Sequence, residues 1–219
     1  MNKHINYSSL TIVFLFFLCS CVSKKELLYL QDIQALNNSK VLSSKNTLQE
    51  NDILKIDVTS LEIDASIPYN KNSLVNNFGN SLQLLQLNGY LVSTNKTINF
   101  PVLGEISVAE KTSQDLEKYL KNLLEAGGHL INPNVTVRLL NSKVTILGEV
   151  RNPGTFTFTE KNISLLQALG LAGDLTIDGN RKNIIVIRES NGQRTTTNLD
   201  LTSASWLSSL YQNIQPNDV

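Results

Sequence analysis

Val144-Thr145-Ile146-Leu147-Gly148-Glu149-Val150-Arg151-Asn152-Pro153-Gly154-Thr155-Phe156 is the stretch on which the reading of this chain turns. Val144, Ile146 and Val150, Phe156 flank a turn of the type that Pro-Gly sets up. Between them Pro153 sets φ for the second position of a turn, and Gly154 suits the positive φ of the third. The local expectation is two short strands joined by a tight Pro-Gly corner.

Downstream, Ser164-Leu165-Leu166-Gln167 has the Ser-x-x-Gln spacing of a capping box. Leu165, Leu166, Ala168, Leu169 and Ala172 give the helix a buried stripe, and Gly173 stops it. Ile184, Val186 and Arg188 then alternate with Ile185, Ile187 and Glu189 in a strand that is apolar on both faces. Asn191-Gly192 is a hairpin signal, and Gln193 to Leu199 returns as the partner strand. Trp206 and Tyr211 precede Asn217-Asp218-Val219, which repeats an upstream phrase, Asn51-Asp52-Ile53.

That upstream phrase opens the first ordered stretch. Leu54, Ile56 and Val58 alternate with Lys55 and Asp57, the period of a half-buried strand. Asn51 tolerates the left-handed backbone that such a turn can demand. Residues 61–88 show no clean period and read as a long loop or insertion. Leu82, Leu84, Leu85 and Leu87 either cover the local core or form a subunit contact. Gly89-Tyr90-Leu91-Val92 restarts structure. Ile98 to Val108 gives two short strands broken at Leu103-Gly104, with Pro101 at an edge or bend because it cannot donate to a ladder.

Thr112-Ser113-Gln114-Asp115 is a second capping box. Leu116, Tyr119, Leu120, Leu123 and Leu124 follow it as one apolar stripe of a helix, which Gly127-Gly128 ends. After Asn132-Pro133-Asn134, the residues Val135, Val137 and Leu139 alternate in a further strand.

The N-terminus reads as an address. Lys3 and His4 precede a continuous apolar run, Leu10 to Leu18, too short to span a bilayer comfortably and typical of a secretory signal. Leu18-Cys19-Ser20-Cys21 looks like a bacterial lipobox, in which Cys21 is acylated and becomes the first mature residue. The alternative is an ordinary signal with an incidental Cys. Several acyl chains hold a protein to a membrane where one holds weakly. Residues 33–47, rich in Asn, Ser and Lys, read as a tether.

Composition narrows the function. The 19 basic and 19 acidic residues balance, so no concentrated basic face draws the chain to nucleic acid. Both cysteines, Cys19 and Cys21, lie at the start, so the rest of the chain has no thiol for disulfides or metal. His129 is the one histidine outside the signal and reads as a loop residue. Glu105 and Glu149 sit in matching Leu-Gly-Glu phrases. Paired carboxylates can cleave glycosides, yet both follow a turn Gly and read as strand-edge residues. No catalytic residue, cofactor or metal site is expected.

Gly148-Glu149-Val150 followed by Asn152-Pro153-Gly154 and an aromatic resembles the opening of the soluble-ligand-binding β-grasp domain of outer-membrane polysaccharide biosynthesis/export lipoproteins. Asn51-Asp52, the Gly89-led strand, Pro101 with Gly104, and Asn132-Pro133 before a Val-x-Val strand resemble that family's export domain, in the same order. Val22 to Asp32 resembles the mature start of its Bacteroidetes-type members. Two departures stand out: Asn51 replaces a usual Gly, and Asp174 replaces the second Gly of Ala-Gly-Gly, with strain if that position needs positive φ.

The resemblance implies an α+β fold. A signal peptide (1–20) and a lipidated tether (21–45) would precede a small polysaccharide export domain (46–141), a mixed sheet with one helix. A β-grasp domain (142–219) would follow, C-terminally truncated if the closing phrase continues as it does in the family. The motif positions Asn51, Asp52, Gly89, Pro101, Gly104, Pro133, Gly148, Glu149, Pro153, Gly154 and Gly173 would be structural. The implied protein is not an enzyme. It is anchored in the outer membrane by Cys21, with periplasmic domains that form a homo-oligomeric ring. Its cargo is capsular or extracellular polysaccharide, and its inner-membrane partner is a chain-length regulator or tyrosine kinase. The competing expectation is a monomeric envelope lipoprotein that binds a glycan or soluble ligand.

Overall fold

The computed structural model describes residues 27–35, 46–71, 81–190 and 192–219. Cys21, the signal segment, most of the tether and Asn191 lie outside them. The buried apolar residues fall into two clusters. One runs from Leu48 to Val137 and the other from Val144 to Ile214. Among the described residues the strand pairs are antiparallel, and helices pack with them in an α+β fold.

The first unit is built on a three-stranded sheet. Strand β1 (Ile53–Thr59) lies between β2 (Tyr90–Leu91) and β5 (Asn134–Leu139), with Leu54 opposite Tyr90 on one side and Leu139 on the other. Its apolar alternation buries Leu54, Ile56 and Val58. Strands β3 (Thr97–Phe100) and β4 (Gly104–Ser107) form a hairpin, and Pro101 takes the bend where no N–H is required.

Helices α1 (Ile63–Ser66) and α2 (Leu82–Leu87) are short, and α3 (Ser113–Ala126) is the long one. Thr112 caps α3 in the reciprocal arrangement its spacing predicts, with Asp115. Leu116, Leu120 and Leu124 of α3 are fully buried, so this stripe is core. Gly89 has no room for a side chain, since a Cβ there would lie 2.4 Å from Ile53.

The stretch 61–88 corrects the sequence reading in part. Its described residues hold, besides α1 and α2, a 3-10 turn at Ile67–Tyr69. Asn70 fastens this segment to β1, its side chain accepting from Val58 N–H and donating to Val58 O. Helix α2 forms because Ser81 caps it, accepting from Leu84 N–H. Its leucines do not supply core: Leu82 and Leu87 are exposed, and Leu84 and Leu85 only half-buried.

The second unit joins hairpin β6–β7 (Lys143–Ile146, Gly154–Thr157), the pair β8–β11 (Ile163–Ser164, Asn213–Ile214) and hairpin β9–β10 (Ile184–Ser190, Gln193–Leu199). Helix α4 (Leu165–Leu171) carries the Ser164–Gln167 capping box. The tight Pro-Gly corner is a correction. Ile146 pairs with Gly154 and Val144 with Phe156, so Leu147 to Pro153 form a long loop and Gly154 is already strand. The positive φ falls on Gly148, at +93°, instead of Gly154. The loop is held open from outside: Arg151 N–H donates to Asp174 O, Asn152 N–H to Ala172 O, and Thr176 N–H to Glu149 O. Local turn chemistry yields to this loop-to-loop pairing.

Candidate functional site

Two turns of one design face each other across the boundary between the units. In Gln49-Glu50-Asn51-Asp52, Asn51 is left-handed at φ +67°, and the Asp52 carboxylate accepts from Gln49 N–H at 2.8 Å. In Gln215-Pro216-Asn217-Asp218, Asn217 has φ +68°, and the Asp218 carboxylate accepts from Gln215 N–H at 2.8 Å. The repeated phrase in the sequence is thus a repeated structure. The first turn leads into β1. The second sets Val219 against Ile187 of β9, while Asn217 and Asp218 bond to β6.

Both aspartates are buried, but their surroundings differ. Arg188 reaches Asp218 with Nε at 3.0 Å and Nη2 at 2.7 Å. The same guanidinium donates to Asn213 O and lies 4.7 Å over the Tyr211 ring. Asp52 accepts the Gln49 N–H, and burial pushes its carboxyl up to about 6, partly opposed by that bond. Removing a carboxylate from water favours its neutral form unless a cation or several donors compensate.

Between the turns opens a cleft of about 530 Å³. The first unit lines it with Gln49 and Asp52, with Thr112 to Gln114 and Glu117 of α3, and with Thr136 to Leu139 of β5. The second contributes Thr159 to Asn162, Glu189 and Ser190, and Gln215 to Asn217. The volume lies within the usual range for small-molecule sites. The lining carries four carboxylates (Asp52, Glu117, Glu160, Glu189) against two cations, Arg138 and Lys161. Asn46 donates across the boundary to Asn162 at 2.9 Å, and its own carbonyl oxygen is buried without a partner. The arrangement can hold a neutral polar molecule by hydrogen bonds.

Of the motif residues, only Asp52 lines this cleft; Asn51 is the exposed corner of its turn. Gly89 precedes β2, Pro101 starts the β3–β4 bend, Gly104 opens β4, and Pro133 is fully buried ahead of β5. Gly148, Glu149 and Pro153 lie in the exposed 147–153 loop and Gly154 opens β7. Gly173, at φ +76°, packs against that loop, with a Cβ position 2.9 Å from Asn152. These second-unit positions therefore meet in one loop pairing. Glu105 and Glu149 are exposed, one in each unit, and neither lines the cleft. His129 is exposed too, edge-on to Tyr69.

Sequence reasoning missed the Arg188–Asp218 pair. The available signal was a lone Arg alternating in phase with Ile184 and Val186.

Fold and cleft together define a protein of two small α+β units in tandem, with polar side chains of both turned into one boundary cleft. A family model described as polysaccharide biosynthesis/export protein matches residues 41–140, and an SLBB domain model matches residues 143–197. The chain belongs to the polysaccharide export family that carries an SLBB domain, a family of export proteins and not of enzymes. It is similar to the EPS I polysaccharide export outer membrane protein EpsA of Ralstonia nicotianae. The two are 33% identical over 106 residues, 47% of this chain and 27% of that protein. The protein of the same name from Ralstonia solanacearum is 32% identical over 104 residues, 46% of this chain and 27% of its own. The chain thus spans about a quarter of the length of these relatives.

Proposed function

We propose that this chain is an outer-membrane lipoprotein, anchored through Cys21, whose periplasmic units form part of an oligomeric channel for capsular or extracellular polysaccharide. The observation that carries the proposal is the tandem order. An export unit and an SLBB unit follow each other on one chain, and its relatives are named as polysaccharide export outer membrane proteins. The work is passage: the channel wall holds sugar weakly at many places, because tight binding at any one of them halts transport, as it does in ion channels. Copies of the chain form the ring, and an inner-membrane chain-length regulator or tyrosine kinase docks below it. Deletion of the gene tests this. Polymer trapped in the periplasm supports export, and normal surface polymer rejects it.

The polar boundary cleft favours a second reading, a monomeric envelope lipoprotein that binds a neutral glycan. Isothermal titration of the chain with neutral oligosaccharides tests it. Saturable binding that Asp52→Asn or Arg138→Ala weakens supports this reading, and no heat of binding rejects it.

A further inference from the structure

We propose that the open edge of β10 pairs, strand to strand, with the open edge of β5 in the boundary cleft of a second copy of this chain. The contact joins unlike surfaces, so it repeats from copy to copy and can close into a ring. It rests on the assembly proposed above and names the surfaces that build it.

Strand β10 presents its edge along its length. Ile187 and Val219 exchange both main-chain bonds, at 2.7 and 3.0 Å, so the N–H and C=O of Ile187 point away from β10. In an antiparallel ladder this orientation alternates. Thr196 lies opposite Ile187, Asn198 opposite Ile185 and Arg194 opposite Glu189. The N–H and C=O of Arg194, Thr196 and Asn198 therefore point away from β9. Among the described residues no strand or loop pairs with them. Proteins usually blunt such an edge with Lys, Pro or a bulge. Gln193–Leu199 has no Lys or Pro, and its register with β9 is unbroken over all seven residues.

Strand β5 presents a matching edge. Leu140 N–H donates to Ile53 O at 2.8 Å. Arg138, Thr136 and Asn134 therefore face β1, and Leu139, Val137 and Val135 turn their main chain outward. Glu117 marks the same side, accepting the Val137 N–H from outside the sheet at 2.9 Å. Among the described residues the Leu139 N–H and C=O and the Val137 C=O meet no other strand. Val137 and Leu139 line the boundary cleft. An extended backbone suits such a row, because it supplies donors and acceptors at the strand repeat.

Length and charge favour a second copy as the occupant. The two edges are of like length, seven residues in β10 and six in β5. Arg194 is the one charged residue of β10. The cleft sets Asp52, Glu117, Glu160 and Glu189 against Arg138 and Lys161, so its lining attracts a cationic strand. Within one copy Arg194 bridges to Glu189. Both side chains stay exposed there, and a guanidinium has donors enough for a second carboxylate.

The test uses the acylated full chain in mild detergent. Thr196→Pro removes an outward N–H and leaves the bonds between β9 and β10 in place, since Pro is tolerated on an edge whose N–H faces solvent. The assembly is expected to fall to single chains, or to need about tenfold more protein to form, while Thr196→Ala keeps it. Amide protection of Arg188 and Thr195, which face each other in the ladder, reads whether the hairpin is intact. A photoreactive side chain in place of the exposed Asn198, in the otherwise native chain, maps the contact by itself. Adducts are expected on residues 134–139 or 46–52 of a second copy. If the proline variant loses its hairpin, the adduct map decides. An assembly of unchanged mass in Thr196→Pro with the hairpin protected, or adducts that fall elsewhere, overturns this inference alone. A native chain that stays single overturns the ring and this inference with it.

Discussion

The turns at Gln49–Asp52 and Gln215–Asp218 have the same backbone and the same internal hydrogen bond, yet they bury their carboxylates on different terms. Asp218 meets a guanidinium that chelates both its oxygens and ties β9 to the closing turn. Asp52 meets one backbone N–H, that of Gln49, and burial pushes its carboxyl up to about 6. The lesson is that a repeated sequence phrase fixes local geometry, while whether its buried carboxylate meets a cation depends on a residue elsewhere in the chain.

The difference can be broken from its stronger side. Asp218→Ala strands a buried guanidinium, and losing one member of such a pair costs about 3–5 kcal/mol. Urea unfolding is expected to show a loss of that size, with Asp52→Ala costing less than half as much. Equal losses would remove the distinction between the turns.

A pH titration sharpens it next. The folded pKa of Asp52 lies above the roughly 3.9 of an unfolded aspartate. Its contribution to stability is complete below pH 4 and is lost as pH rises through 6. Asp52→Asn is therefore expected to flatten the stability profile between pH 4 and 6 and to stabilise the chain at pH 7.5 by about 2 kcal/mol. A profile as steep as the parent's in that window would place the titration on another group.

The smallest effect tests what the turns share. Asn51→Ala and Asn217→Ala put a methyl-bearing residue at φ near +67°, where each is expected to cost about 1 kcal/mol; glycine at either position is expected to be nearly neutral. Thermal melts that separate the two alanine variants by more than the two glycine variants would mean that the turns are not equivalent.

Much of this was legible because it is local. The Thr112 and Ser164 caps, the Leu116-Leu120-Leu124 stripe and the alternation of β1 depend on neighbours within a few residues, and the structure keeps them. Asn51 and Asn217 sit where an Asn-Asp turn puts a left-handed residue. The misses are long-range. The 147–153 loop is opened by carbonyls at Ala172 and Asp174, which no reading of Pro153-Gly154 supplies. Leu82 to Leu87 is a helix because Ser81 caps it, without a stripe that periodicity can detect. The boundary cleft is equally invisible, as its lining comes from segments more than a hundred residues apart. Tyr29 and Asp174, separated by 145 residues, meet only once the fold exists.

The account depends on copies of this chain assembling around a passage. The direct measurement is the mass of the acylated protein, extracted in mild detergent and read by light scattering with the detergent contribution subtracted. A closed assembly of many copies, unchanged on dilution, is the result predicted. A stable single chain at every concentration would contradict it and leave the glycan-binding reading in its place.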